Sequence, residues 1–484
     1  MPDRTVRRTP RHRLAADRPR RRGRLRRRPP RHPPRPAGGG TTLRHHAHHA
    51  HPHHRTGAGM TLPGPQQNAP ADGAVLVLGG GTRLPAALRA HGLYVVYGGA
   101  PEEFTPAHRE ACDEAWLLAD ASEDDWVRRA TALHQWLPLR RAVTVRERFL
   151  VTAARVNDAC GLGGNPLETV LALKDKSLMR RRLEDAGDGC AVRARLMRDP
   201  ADLDAFVTAA GLPVVLKPRD GSASEGITIV RDPDGVRAAR QDIAARPGRL
   251  LAEEFLDGPE FSVETHSAAG RHEVLAVTEK FTGEHSVEIG HVVPARVGDE
   301  DRAALEKAAH AFLDAIGLTE GPAHTEIILT PRGPRVVESH NRPGGDGIVD
   351  LVRHVRGVDV RDLLAAQVAG APAPTAGADP AGAAATWFLT AAPGIATEVS
   401  GWETAAGMPG VADVSPDVAE GDTVTPLRGS GDRCGSVTAV AATPDEALDR
   451  ARRALAHVVV RTEAAPGSPR TPRNARNPQE IHRS

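Results

Sequence analysis

HTEIILTPRGPRVVESHNRPGGD, residues 324–346, reads as two strands joined by a turn. Ile327, Ile328, Val336 and Val337 are β-branched residues of the kind strands favour, and Thr330-Pro-Arg-Gly-Pro334 is turn chemistry. A hairpin of this kind sets Glu326 beside Glu338. Two apposed carboxylates repel unless a cation lies between them, and hard oxygen donors suit Mg2+ that carries phosphates. Read alone, the pair fits solvent-facing strand glutamates equally well.

Upstream, Leu212-Pro-Val-Val-Leu216 is a short apolar strand ending in Lys217. A Gly/Ser loop from Pro218 to Gly226, carrying Ser222 and Ser224, separates it from Ile227–Val230. An ammonium at a strand end can reach phosphate oxygens while loop amides and hydroxyls cover them, although a lysine before a turn is also ordinary surface chemistry. The loop is not a P-loop, because the lysine precedes the glycines. Arg249–Glu254 closes another strand, which turns through Leu256-Asp-Gly-Pro259 into the alternating Glu260-Phe-Ser-Val-Glu264. Lys176 lies some forty residues before Lys217, on a helix expected to run unbroken from Pro166 to Ala186-Gly187. Ala303–Ile316 reads as an amphipathic helix.

The amino-terminal side is of another kind. Residues 1–60 hold 17 Arg, no Lys, 2 acidic residues and 9 of the chain's 22 His. Such a segment has too little apolar surface to fold, so it reads as a disordered tail or as an extension ahead of a start near Met60, in preference to a nucleic-acid- or metal-binding arm. The remaining residues carry 46 Lys and Arg against 59 Asp and Glu, which excludes a nucleic-acid footprint on the body. Cys112, Cys160, Cys190 and Cys434 have no metal-ligand spacing and read as free thiols of a reducing cytoplasm. No run of about eighteen apolar residues supports a membrane span.

Ala74-Val-Leu-Val-Leu78 followed by Gly79-Gly-Gly81 opens an α/β unit, with a helix over Leu84–His91 and a strand over Leu93–Tyr97. The glycines lack dinucleotide-binding spacing, since Leu84 stands where a third glycine is needed. Residues 119–172 alternate in helix-like fashion up to the Gly161-Leu-Gly-Gly164 loop and the Asn165-Pro166 boundary. The resulting division is a disordered extension over 1–70, an α/β domain over 71–165, a nucleotide and metal domain over 166–370, an α+β region over 384–462 and a disordered tail over 463–484.

Taken in order, a helical lysine, a strand-end lysine with a Gly/Ser loop, an acidic Glu-Phe-Leu hinge and a paired-glutamate hairpin ending in arginine resemble the ATP-grasp superfamily. The segments are DKSLMRRRL at 175–183, VVLKPRDGSASEGI at 214–227, LAEEFLDGPEFSVE at 251–264, TEIIL at 325–329 and VVESHNRPGGD at 336–346. The resemblance implies an α/β and α+β protein, an ATP-grasp fold with a preceding α/β domain and a lid-like carboxy-terminal α+β region. It implies ATP phosphate contacts from Lys176 and Lys217, with Ser222 and Ser224 in the covering loop, and adenine at Glu253 and the Leu256 backbone. Glu260 is matched to ribose, Glu326 and Glu338 to Mg2+ (or Mn2+), and Arg342 to the transferred phosphoryl group.

The family's third metal ligand is an Asn two residues after the second glutamate, a slot held here by His340. His340 or Asn341 can complete the shell; amide oxygen is the better Mg2+ ligand, which favours Asn341 after a small register shift. Lys280, Glu288 and His291 fall near the acceptor pocket by the same analogy. ATWFLTAAPGIATEVSGWE and the segments after it are similar to the end of biotin-carboxylase-like enzymes and amino-acid ligases. Pro343-Gly-Gly-Asp-Gly347 replaces the carboxylase continuation and favours the ligases. The implied reaction joins a small carboxylate to an amine through an acyl phosphate, in a chain for which a homodimer is the common assembly. Bicarbonate activation and nucleotide binding without turnover are the alternatives.

Overall fold

The computed structural model describes residues 73–187, 189–221, 226–283, 287–375 and 381–463. Ser222, Ser224, the Arg/His-rich extension and the carboxy-terminal tail lie outside them.

Strands β1 (Ala74–Leu78), β2 (Tyr94–Gly99), β3 (Glu114–Leu117) and β4 (Leu139–Val143) form a parallel sheet in the order β3-β2-β1-β4. All of β1 is buried, because both sheet faces are covered. Val75 and Val77 pack with Leu84 and Leu88 of the helix Arg83–Ala90, while Leu76 and Leu78 meet Trp126 and Val156 of helices Glu123–Trp136 and Leu150–Cys160. Strand β4 corrects the helix-like reading of 119–172. The sequence there shows only Arg140-Arg141 between apolar neighbours, and it is the parallel pairing with β1 that selects a strand.

Strands β5 (Ala194–Met197), β6 (Val214–Pro218), β7 (Thr228–Val230) and β8 (Leu250–Glu254) make a second sheet in the order β5-β8-β6-β7. Helices Pro200–Ala210 and Pro233–Ala245 cover it through Leu203, Phe206, Ala239 and Ile243. The helix expected over 166–187 is two helices, Leu167–Lys174 and Lys176–Ala186. Asp175 breaks it, turning its carboxylate onto the amides of Ser177 and Leu178 as an N-cap. That break places Lys176 at the start of a helix, beside the loop that follows β6.

The third sheet organises the molecule. It contains β9 (Glu260–Ala268), β10 (Arg271–Thr282), β11 (Glu288–Val293), β12 (Gly321–Thr330), β13 (Gly333–His340) and β14 (Ala383–Leu389). Downstream come β15 (Gly394–Ser400), β16 (Val411–Pro416), β17 (Thr423–Val424), β18 (Gly435–Ala441) and β19 (Val459–Glu463). Eight of these run in the order β13-β12-β9-β10-β11-β14-β18-β16, and β17-β15-β19 form a small sheet of their own. The carboxy-terminal region therefore extends the same sheet that carries the glutamate hairpin.

Strand periodicity gives this sheet two unlike faces. Phe261, Val263, Ile327 and Val336 point to one side and pack with Phe312, Leu313 and Ile316 of the helix Asp299–Ile316. Each such large side chain contributes roughly 1.5–3 kcal/mol by leaving water. Glu260, Ser262 and Glu264 of β9 point to the other side, where register sets Glu326 opposite Ser262 and His324 opposite Glu264. At the turn into β9, Gly258 approaches so closely that a Cβ would lie 2.1 Å from the Leu329 carbonyl oxygen. Among the described residues no helix is long and apolar enough to cross a membrane.

Candidate functional site

The polar face of the large sheet, with β6, β8 and the helix Lys176–Ala186 beside it, carries the charged residues. Glu326 and Glu338 are register partners in the β12–β13 hairpin. A bulge follows: Ile327 pairs with Val336, so Val337 has no strand partner there. Its carbonyl accepts instead from Arg180, at 2.5 Å, as does that of Val336 at 2.8 Å. Arg180 also grips Glu253 on β8, with Nε 2.7 Å from Oε1, and Lys217 Nζ lies 2.8 Å from the other oxygen. Burial pushes the Glu253 carboxyl up, yet Arg180 and Lys217 hold it below its ordinary range. For Lys217 burial outweighs Glu253, and its proton affinity falls. Lys176 Nζ is 2.8 Å from Glu338 and donates to the Gly221 carbonyl at 2.6 Å, tying the start of the loop to the hairpin. Leu256 lies two residues past β8, half-buried.

Farther along the face the balance of charge reverses. Lys280, opposite Glu260 in the β9–β10 register, has its ammonium 2.5 Å from Glu260, 2.8 Å from Glu326 and 3.3 Å from Glu288. One ammonium cannot neutralise three carboxylates. Burial raises the proton affinity of Glu260 despite Lys280, with Glu326 adding to the rise. Burial also pushes Glu326 up, but Lys280 and His324 pull it well below the carboxylate range. His324 bridges Glu264 at 2.7 Å and Glu326 at 3.1 Å. His291, opposite Lys280 on β11, is 1% exposed and stands edge-on to Phe388. Beyond it, Asp346 takes a two-pronged contact from Arg433 at 2.7 and 3.0 Å, and the Arg433 guanidinium lies 3.7 Å above the Phe388 ring.

The hairpin's exit sets the two candidates for the third ligand apart. His340 sits 3.1 Å from Glu338, whereas Asn341 lines a cavity with Arg141, Asn157, Glu320 and Gln367. Neighbouring residues at a strand end diverge to opposite sides, so a one-residue shift turns Asn341 away from the glutamates rather than toward them. The structure thus brings His340, and not Asn341, beside Glu338. His340 and Arg342 share a partner that sequence reasoning missed: Glu147, from the amino-terminal α/β unit, lies 3.0 Å from His340, 2.7 Å from Arg342 and 2.9 Å from Lys174. Burial pushes the Glu338 carboxyl up, but Lys176 and His340 hold it far below its usual range. Two ionised carboxylates on adjacent strands are a donor set that fits Mg2+ or Mn2+, with imidazole tilting it toward Mn2+.

Arg180, His324 and Glu264 were also missed, as were Asp346 and Arg433. For Arg180 a signal existed, since it stands one helical turn after Lys176. Glu147 and Arg433 carried none, being drawn in from distant segments by the fold.

The sheets and this charged face define an ATP-grasp fold, and residues 210–350 match the model of the ATP-grasp domain. Residues 387–463 match the model described as L-amino acid ligase C-terminal domain 2. The structure is similar to that of an L-amino acid ligase from Bacillus licheniformis, with a TM-score of 0.69 and 22% identity over 81% of this chain and 99% of that one. Among curated proteins, the uncharacterized protein y4rH of Sinorhizobium fredii is 28% identical over 321 residues, 64% of this chain and 65% of that protein. Alanine–anticapsin ligase of Bacillus subtilis is 23% identical over 270 residues, 51% of this chain and 57% of that enzyme. The chain thus spans less than two thirds of the length of these curated relatives. The chain thus carries an ATP-grasp domain over residues 210–350, followed by a region that matches the L-amino acid ligase model.

Proposed function

We propose that this chain is an ATP-dependent, ADP-forming ligase that joins an amino acid or small carboxylate to an amine. The observation that carries this reading is the change of charge along one face: cations outnumber acids around Lys176, Arg180 and Lys217, and acids outnumber cations around Lys280. The first end suits phosphates and the second suits metal and amine.

In this reading Lys176 and Lys217 hold ATP phosphates, the Leu256 backbone receives adenine beside Glu253, and Glu260 meets the ribose. Ser222 and Ser224 belong to the loop over the phosphates. Glu326, Glu338 and His340 hold Mg2+ (or Mn2+), which supplies charge neutralisation at the phosphoryl group. A carboxylate oxygen of the acid attacks the γ-phosphorus and ADP departs. The amine nitrogen then attacks the acyl carbon, expelling phosphate and giving up a proton. Arg342, steered by Glu147, faces the charge that builds on the phosphoryl and acyl oxygens. Glu288 and His291 frame the amine, with Asp346 and Arg433 behind them. Cytoplasmic placement and a homodimer belong to the same proposal.

Pairs of L-amino acids are to be screened for ADP release, with mass spectrometry of the products. Amide product formed with one ADP per bond is expected. AMP in place of ADP, or ADP formation driven by bicarbonate without an amine, overturns the reading.

A further inference from the structure

Three carboxylates assigned to different parts of the site meet at one point. Oxygens of Glu260, Glu288 and Glu326 lie within 4.8 Å of one another, a spacing at which one divalent ion could be held by all three. The Lys280 ammonium is in contact with every one of them. Its side chain is 2% exposed, and register fixes it directly opposite Glu260, so it cannot swing out to solvent without breaking the sheet. Among the described residues no other cation is paired with Glu260 or Glu288. His324, held by Glu264, gives Glu326 a second partner on the same oxygen, Oε1, that Lys280 contacts, and reaches neither Glu260 nor Glu288.

We propose that Lys280 is a resident counter-ion, which keeps the Glu260–Glu288–Glu326 cluster from collecting a divalent metal in the nucleotide-free protein. The inference rests on the reading of Glu326 as a metal ligand. Without the ammonium, three carboxylates at this spacing are a better cage for a divalent ion than two glutamates alone. An ion held there would occupy Glu326 away from Glu338 and block the position facing the ribose carboxylate. A tethered monovalent cation prevents this and still yields: it keeps Glu288 as a partner when Glu326 and Glu260 turn to other ligands. Lys280 thereby links the nucleotide side of the face to the acceptor side through one side chain, and metal is admitted with the nucleotide rather than before it.

Mn2+ is to be titrated into the full chain without nucleotide or substrate, with free ion followed by electron paramagnetic resonance. Lys280→Met is expected to bind one Mn2+ about tenfold or more tightly than the wild type, since a caged charge replaces a fixed one. Lys280→Arg keeps the charge and is expected to stay near the wild type. The double variant Lys280→Met/Glu288→Gln, with two acids left, should show a smaller gain. Equal Mn2+ affinity in Lys280→Met and wild type overturns the proposal, as does a gain in Lys280→Arg as large as that in Lys280→Met. Should Lys280→Met fail to fold, the double variant decides: a gain over wild type supports the counter-ion role, and none overturns it. No nucleotide or acceptor enters these titrations, so a wild type that releases no ADP in the ligase screen would sink the proposed reaction and leave their outcome readable.

Discussion

The two ends of the polar face are built on opposite plans. At the end proposed for the nucleotide, Lys176, Arg180 and Lys217 share Glu253 and Glu338, and the charges come from four segments brought side by side. At the acceptor end three carboxylates crowd one ammonium, and the surrounding pairs reach across from distant strands. A cation-rich pocket favours an anionic ligand and pays for itself only when phosphates arrive; an acid-rich one draws metal and amine. In the proposed reading, donor and acceptor are separated along the sheet by charge, with the Glu326–Glu338 pair at the crossing point.

The sharpest way to break that division is at the crossing. Glu326→Gln removes one carboxylate from the crowded cluster, so Lys280 keeps Glu260 and Glu288 and the fold should survive. Turnover is expected to fall about a thousandfold or more, because a proposed ligand of the metal that would neutralise the phosphoryl charge is lost. ADP release and thermal melting measured on the same preparation check both halves. Normal ADP release in the variant would remove Glu326 from the metal site.

A smaller effect is expected at His340. An imidazole in the third-ligand slot favours Mn2+ over Mg2+, whereas an amide oxygen favours Mg2+. His340→Asn is therefore expected to shift the ratio of Mg2+- to Mn2+-supported turnover upward by about tenfold. An unchanged ratio would mean that His340 serves only to join Glu338 to Glu147.

What could be read in advance follows the same boundary. The hairpin was legible because β-branched alternation and turn residues are local signals, and the Glu326–Glu338 pairing follows from them. Lys217 was legible as a strand end before a Gly/Ser loop. Strand β4 was not, since only its partner β1 makes Arg140-Arg141 part of a sheet. Ligand chemistry alone favours Asn341, whereas strand geometry sets His340 beside Glu338. Glu147 and Arg433 act through contacts 195 and 87 residues away in sequence, with Arg342 and Asp346, and no window of sequence contains such a pair.

Asp346 offers the finest test of the acceptor end. It is a non-glycine residue in the left-handed region, with φ of 54°, a conformation that Asn tolerates as well as Asp. Burial pushes its carboxyl up, but His291 and Arg433 hold it well below the usual carboxylate range. Because the folded protein binds this proton less readily than the unfolded chain does, the pair's stabilisation is complete above about pH 4. It is lost as the pH falls toward the depressed folded value. Asp346→Asn lacks that contribution, so it should be less stable at neutral pH by roughly 1–3 kcal/mol. The gap in urea midpoint should then narrow as both proteins are taken below about pH 4. At neutral pH the variant should raise the KM for the amine and leave the KM for ATP unchanged, since the nucleotide end shares no partner with Asp346. A constant gap across pH would remove Asp346 ionisation from the protein's stability, and a rise in both KM values together would show that the two ends are coupled rather than divided by charge.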